Sequence, residues 1–344
     1  MKLVDTKDAV GTVLCHDITQ IIKGVTKDAR FRKGHVVKEE DIPVLLSLGK
    51  DHLYVWEAGD DMLHENDAAQ ILRDICKNEY MEESDVKEGK IEIIAGIDGL
   101  LKIDVDKLRA VNSLGEMMIA TRHENFPVKK GDKLAGTRII PLIIEEEKMK
   151  KAKELCGDEP ILSIKPFVHK KVGIVTTGNE VFYGRIKDTF GPVVMDKVKE
   201  FDAEILGQTI VNDDPKNITS AILDFINDGA DMILCTGGMS VDPDDKTPKA
   251  IKDTGAEIIS YGAPVLPGAM LLLSYYKENN KNIPIIGLPG CVMYAKRTIF
   301  DLILPRVMSD EVITRDDLSK LGLGGLCLNC ETCHYPNCGF GKGV

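Results

Sequence analysis

The chain has 344 residues, 43% apolar and 29% charged, enough to bury a sizeable core and to divide into two or three domains. A formal charge of −11 and an aromatic content of only 5% argue against a nucleic-acid binder, which usually shows a basic face and stacking platforms. Charge begins at Lys2, and no apolar run approaches the roughly 20 residues that span a bilayer, so no membrane partner is expected and the expected location is cytoplasmic.

Residues 1 to 60 read as a small β-rich module. Val10–Leu14, Ile18–Ile22 and His52–Trp56 are expected strands, and Phe31–Val37 is a turn into another. Asp41 should cap a short helix that ends before Gly49. Asn66–Glu79 has the apolar spacing of an amphipathic helix. Short strands return at Ile91–Ala95, Leu101–Val105, Met117–Ala120 and Lys133–Thr137, and Glu145–Leu155 is a charged helical stretch. The first 150 residues therefore read as a β-rich α+β region without a chemistry-bearing cluster.

Beyond Gly157-Asp158-Glu159-Pro160 the rhythm changes. Strands are expected at Lys171–Thr176, Ile205–Val211, Ala230–Cys235, Glu257–Ser260, Met270–Tyr276 and Ile283–Leu288. Helices are expected at Val193–Phe201, Asn217–Asn227, from Thr247, and at Met293–Pro305 and Val312–Lys320. This alternation implies an α/β domain over 160–310, built on a mainly parallel, doubly wound sheet with both faces covered.

Four polar clusters follow strand ends: Thr176-Thr177-Gly178-Asn179-Glu180, Asp213-Asp214-Pro215, Gly237–Asp245 and Gly287-Leu288-Pro289-Gly290. In a doubly wound sheet the carboxyl-end loops share one edge, so the clusters can meet there. Each alone is equally a helix cap or turn. Glycines at 237 and 238 allow a ligand close to the backbone, and the loop's aspartates (Asp242, Asp244, Asp245) argue that a cation accompanies an anionic ligand. Arg185, Lys187, Lys246 and Lys249 could neutralise that anion or be solvated surface charges. His169 reads as solvated. No lysine phosphate loop and no strand-bound Gly-x-Gly-x-x-Gly is present.

Nine cysteines in a reducing compartment are not a disulfide framework. Four crowd residues 321–344, as Cys327-x2-Cys330-x2-Cys333-x4-Cys338. The spacing is closer to iron–sulfur runs than to zinc knuckles, with redox or sulfur handling as the alternative.

The second domain resembles the molybdopterin-binding domain shared by molybdopterin adenylyltransferases and gephyrin-type molybdopterin molybdenumtransferases. The resemblance rests on Thr177-Gly178-Asn179-Glu180-Val181, Gly184–Thr189, Asp213-Asp214-Pro215, Thr236–Val241 with Asp245, Pro267-Gly268 and Gly287–Gly290, and spans about 170–305. It implies molybdopterin held at the carboxyl edge, and in the transferase branch insertion of molybdate from adenylylated molybdopterin with Mg2+. On that resemblance Glu180, Asp214 and Asp245 would act on the adenylyl phosphate or hold the metal. Thr177, Gly178, Gly237, Gly238, Ser240, Pro289 and Gly290 would contact the cofactor. The family also implies a homodimer. A non-catalytic alternative is a protein that binds finished cofactor and delivers it to a molybdoenzyme, using the cysteine tail for metal, sulfur or redox exchange. The tail, with an expected iron–sulfur cluster or Zn2+, belongs to neither branch.

Overall fold

The structure, a computed structural model, describes residues 2–22, 26–55, 61–240, 242, 245–279 and 281–343. Trp56 of the expected closing strand, and Val241 and Asp244 of the glycine loop, lie outside the described residues. The chain divides into two units. One comprises Met1–Ile97, Lys102–Arg122 and Lys129–Ile164; the other comprises Asp98–Leu101, His123–Val128 and Lys165–Val344.

The first unit is built from short antiparallel pairings. Ile18–Ile22 pairs with Thr26–Phe31, and Lys2–Asp5 with His52–Val55. A four-stranded sheet runs in the order Met81–Glu83, Lys90–Ala95, Lys133–Ile139, Met117–Thr121. Ile91, Ile93 and Ala95 alternate into its core, as a half-buried strand demands. Helix Glu65–Cys76 buries Ala68, Ala69, Leu72 and Ile75 along one stripe.

Two expectations here differ. Val10–Leu14 forms no strand, only single bridges at Val13 and Leu14, because Gly11 turns the chain at φ +85°. The expected strand Leu101–Val105 instead lies at Gly99–Ile103, and Asp104 caps a helix over Val105–Asn112 by accepting the Lys107 N–H at 3.0 Å.

The second unit centres on a six-stranded sheet. Its order is Glu204–Val211, Lys171–Thr177, Met232–Thr236, Lys281–Leu288, Leu272–Glu278, Glu257–Tyr261. The first four strands are mutually parallel. Leu272–Glu278 runs against both its neighbours, so the sheet is mixed on this side. The reason is steric reach. Only residues 279 and 280 separate Leu272–Glu278 from Lys281–Leu288, enough for a hairpin but far too few for a parallel crossover.

Both faces of the sheet are covered. On one, Val172, Ile174, Leu234 and Ile286 pack with Val194, Val198 and the helix Ile299–Met308. On the other, Val175, Ile233, Cys235 and Ile285 meet helices Pro215–Asn227 and Thr247–Asp253. All of Met232–Thr236 is buried, which is why it reads as a continuous apolar run rather than an alternating one.

The last helix of the sheet domain begins later than its apolar pattern suggests. Thr298 and Asp301 form a capping box: the Asp301 carboxylate accepts the Thr298 N–H at 2.7 Å, and the helix starts at Ile299. The preceding Tyr294–Arg297 is left as a loop. The cysteine tail is not a separate body. Cys327, Tyr335, Cys338 and Phe340 pack against the first core, and the Tyr335 hydroxyl donates to the Asp301 carbonyl at 2.9 Å. Among the described residues no helix is long and apolar enough to cross a membrane.

Candidate functional site

Parallel strands place their carboxyl ends on one edge. Thr177, Val211, Thr236 and Leu288 end the four parallel strands, so the four clusters named above all leave from that edge.

Three of the four are bonded together. The Thr247 hydroxyl donates to the Gly237 carbonyl at 2.9 Å and lies 3.1 Å from the Thr177 hydroxyl. Because the Thr247 proton is committed to Gly237, Thr177 is the donor of the pair. Gly237 has φ +87°, and a Cβ there would strike the Thr177 carbonyl oxygen. The glycine loop thus lies directly on the first strand's end, which only glycine permits. The second cluster joins through Asp213: its carboxylate accepts the Asn179 N–H at 2.9 Å.

The loop is also held from beneath. Met239 is buried, and its Cε lies 2.5 Å from where a Cβ of Gly287 would be, so that glycine makes room for the methionine. Tyr261, at the end of the outermost strand, donates from its hydroxyl to the Met239 carbonyl at 3.0 Å. Burial, then the negative charge of Asp245, raises the Tyr261 phenol above its ordinary value.

A polar seam runs under the first cluster. Gln208 donates to the Thr176 hydroxyl at 2.7 Å and to the Asp188 carboxylate at 2.6 Å. Thr236 donates to Thr176 at 3.0 Å. Asp188 also accepts the Phe190 N–H at 2.9 Å, which anchors the 184–189 segment to the next helix. Thr189 donates to the Met293 sulfur at 3.2 Å, linking this segment to the fourth cluster.

The expected cofactor contacts Thr177, Gly178, Gly237, Gly238, Ser240, Pro289 and Gly290 all sit in these edge loops, with Ser240 and Gly290 exposed and Thr177 and Pro289 buried. The expected carboxylates are less unified. Glu180 is exposed beside Gly178. Asp214 is the N-cap of its helix, accepting the Lys216 N–H at 2.9 Å, while its neighbour Asp213 makes the bond to the first cluster. Asp245 accepts the Asp242 N–H at 3.3 Å. Of the cations, Lys249 pairs with Asp253, and the Arg185 guanidinium stands 5.4 Å over the Tyr183 ring.

Among the described residues no group of three or more His, Cys, Asp or Glu side chains is placed to hold a metal ion. Magnesium, which is usually held by one or two carboxylates together with substrate phosphates and water, therefore has no all-protein cage among the described residues. The same holds for a single ion on Cys327, Cys330, Cys333 and Cys338. The first and last pack against the core and the middle two are exposed, so the expected closed four-thiolate Zn2+ site is not formed.

Thr247, Gln208, Asp188 and Tyr261 were not singled out by sequence. Thr247-Pro248 was visible only as a helix start. Asp188 was visible in the Gly184–Thr189 segment. Gln208 and Tyr261 carry no local signal, since their partners lie on other strands.

Residues 173–309 match the profile of the family described as a probable molybdopterin binding domain, and residues 3–57 match a domain of unknown function. A CinA-like protein of Mycobacterium avium (strain 104) is 33% identical over 93 residues, which cover 27% of this chain and 21% of that protein. A molybdopterin molybdenumtransferase of Synechococcus elongatus is 24% identical over 205 residues, 54% of this chain and 48% of that protein. The chain thus spans less than half the length of either relative. The crystal structure of the tungsten cofactor synthesizing protein MoaB from Pyrococcus furiosus aligns with a TM-score of 0.35 at 22% identity, over 40% of this chain and 92% of that one. The sheet domain at residues 173–309 is a member of the molybdopterin-binding domain family.

Proposed function

We propose that this protein binds molybdopterin along the carboxyl edge of its six-stranded sheet and serves molybdenum cofactor biosynthesis. The observation that carries the reading is the bond set joining Thr177, Gly237 and Thr247, which presents the Gly237-Gly238 backbone at the rim. The amides of Gly237 and Gly238 and the Ser240 hydroxyl are the donors offered to the pterin's phosphate. Such donors, fixed before the ligand arrives, bind an anion without reorganising. Pro289 and Gly290 bound the same rim from the fourth strand.

The finer reading is a transferase. Adenylylated molybdopterin would lie with its phosphate bridge across the loops carrying Glu180, Asp214 and Asp245. A carboxylate there takes the proton of the attacking water, the phosphoanhydride breaks, AMP leaves, and molybdate enters at the dithiolene. Asp245 is the strongest candidate, because the Asp242 N–H holds its carboxylate and the Tyr261 hydroxyl fixes the Met239 carbonyl of the same loop. The full chain mixed with adenylylated molybdopterin and molybdate should release AMP, with and without Mg2+ as two arms. Asp245→Asn should still bind but release none. If ligand binds and no AMP appears in either arm, the transferase reading is lost while the binding reading stands.

The second reading is delivery of finished cofactor to a molybdoenzyme. One observation favours it: the rim loop Gly290–Met293 runs directly into Tyr294–Arg297, which touches the cysteine tail. Transfer to an apo-molybdoenzyme that fails in Cys330→Ala, with pterin binding retained, supports this reading. Point substitution is preferable to removing the tail, because Tyr335 and Phe340 are part of the domain core. A homodimer, which the family resemblance implies, is tested by sedimentation of the same samples.

A further inference from the structure

Where the first cluster runs on towards the next helix, Phe182, Tyr183 and Ile186 are 46%, 59% and 56% exposed. Phe182 is the one exposed phenylalanine among the described residues. Single apolar residues on a surface are ordinary, but contiguous apolar surface marks a contact site. We propose that Phe182, Tyr183 and Arg185 form a shelf on which the fused nitrogen heterocycle of a phosphorylated ligand stacks. The proposal rests on the reading that the ligand's phosphate is held at the Gly237-Gly238 amides.

Position is the first support. The shelf grows directly from the rim. Thr177, just before it, is bonded to Thr247, and the Asn179 N–H donates to Asp213. At its far end Thr189 donates to the Met293 sulfur, beside the fourth cluster. The aromatic surface therefore belongs to the same edge as the phosphate donors.

The second support is chemistry. Phe182 and Tyr183 meet edge to face, with ring centroids 5.2 Å apart and planes 79° from parallel. The Arg185 guanidinium lies 5.4 Å over the Tyr183 ring. A guanidinium is flat and cationic, so the pair can take a planar ring by stacking and by cation–π attraction. Arg185 and Lys187 make no ion pair among the described residues, so their charge is available to an anionic ligand. The adenine of an adenylylated ligand and a pterin ring are both fused nitrogen heterocycles, and either suits this surface.

The third support is rigidity. The Phe182 N–H donates to the Gly178 carbonyl at 2.9 Å, and the Arg185 N–H to the Glu180 carbonyl at 2.9 Å. Gly184 turns the chain at φ +68°, and Asp188, bonded by Gln208, anchors the end. Aromatic rings on a fixed backbone lose little freedom when a ligand binds.

The test titrates the full chain with AMP, with molybdopterin and with ribose 5-phosphate, which has a phosphate and no flat ring. The ring ligand that uses the shelf should bind about tenfold more weakly to Tyr183→Ala, and nearly as wild type to Tyr183→Phe. Ribose 5-phosphate should bind every form equally, and the melting curves should coincide because the side chains are exposed. A loss confined to AMP, with a fall in adenine absorption on binding that Tyr183→Ala abolishes, assigns the shelf to the purine. A loss confined to molybdopterin assigns it to the pterin. If the double variant Phe182→Ala with Tyr183→Ala binds both ring ligands as wild type does, the proposal is overturned while binding at the rim stands. A change in its sedimentation with affinities unmoved makes the patch a contact between copies and overturns it equally. If wild type binds none of the three, the rim reading itself fails and the shelf with it.

Discussion

The hydroxyl of Thr247 stands 3.1 Å from that of Thr177 and reaches the carbonyl of Gly237 at 2.9 Å, so one buried side chain fastens two strand ends to one helix start. Thr247→Val keeps the shape and removes both bonds. It leaves the Gly237 carbonyl and the Thr177 hydroxyl short of a partner, at a cost of about 1–3 kcal/mol. Urea unfolding should show that loss, and pterin titration should show weaker binding than the stability loss alone explains.

Gly237→Ala should be more severe. The residue must hold φ +87°, and its new methyl would meet the Thr177 carbonyl. Strain of roughly 1–3 kcal/mol is expected from the backbone alone, with the steric clash in addition. Gly136→Ala, where nothing lies within 4 Å, is the control. Binding at the rim should vanish only in the first variant.

Asp301 is buried and faces two cations, Lys197 at 2.6 Å and Arg297 at 2.9 Å. It also caps its own helix. Asp301→Ala leaves both cations without this partner and should destabilise the protein by about 3–5 kcal/mol. A fall in melting temperature checks this.

Asp317 supplies a pH dependence. Burial opposes its ionisation, but hydrogen bonds from Thr314 and the Arg306 guanidinium outweigh burial and hold its pKa at about 2. A carboxylate depressed on folding contributes stability that is full above its unfolded value and is lost as pH falls through the folded one. Stability should therefore drop between about pH 4 and pH 2, and Asp317→Asn should flatten that part of the curve. Denaturant midpoints across this range decide it.

Asp188→Ala tests the seam beneath the rim. It frees the N–H groups of Phe190 and Gly191 and removes an acceptor of Gln208. A loss of about 1–2 kcal/mol is expected, with faster amide exchange across residues 184–191.

By itself the sequence determined the strands of the second unit, the edge on which its loops gather and the family of residues 173–309. Continuous apolar runs such as Met232–Thr236 can be satisfied only inside a sheet covered on both faces, and glycine turns after them are local chemistry. The reversal of Leu272–Glu278 was equally present, in the two residues that follow it, and so was the Thr298–Asp301 capping box. What only the tertiary structure decided is which side chains meet. Asp213 rather than Asp214 bonds to the first cluster, Tyr261 holds a loop three strands away, and four cysteines that look like one motif line a cavity whose cations come from residues 296 and 297. Such pairings are set by strand order and helix starts, which bring together residues 22 to 104 positions apart, and no local pattern in the chain encodes that distance.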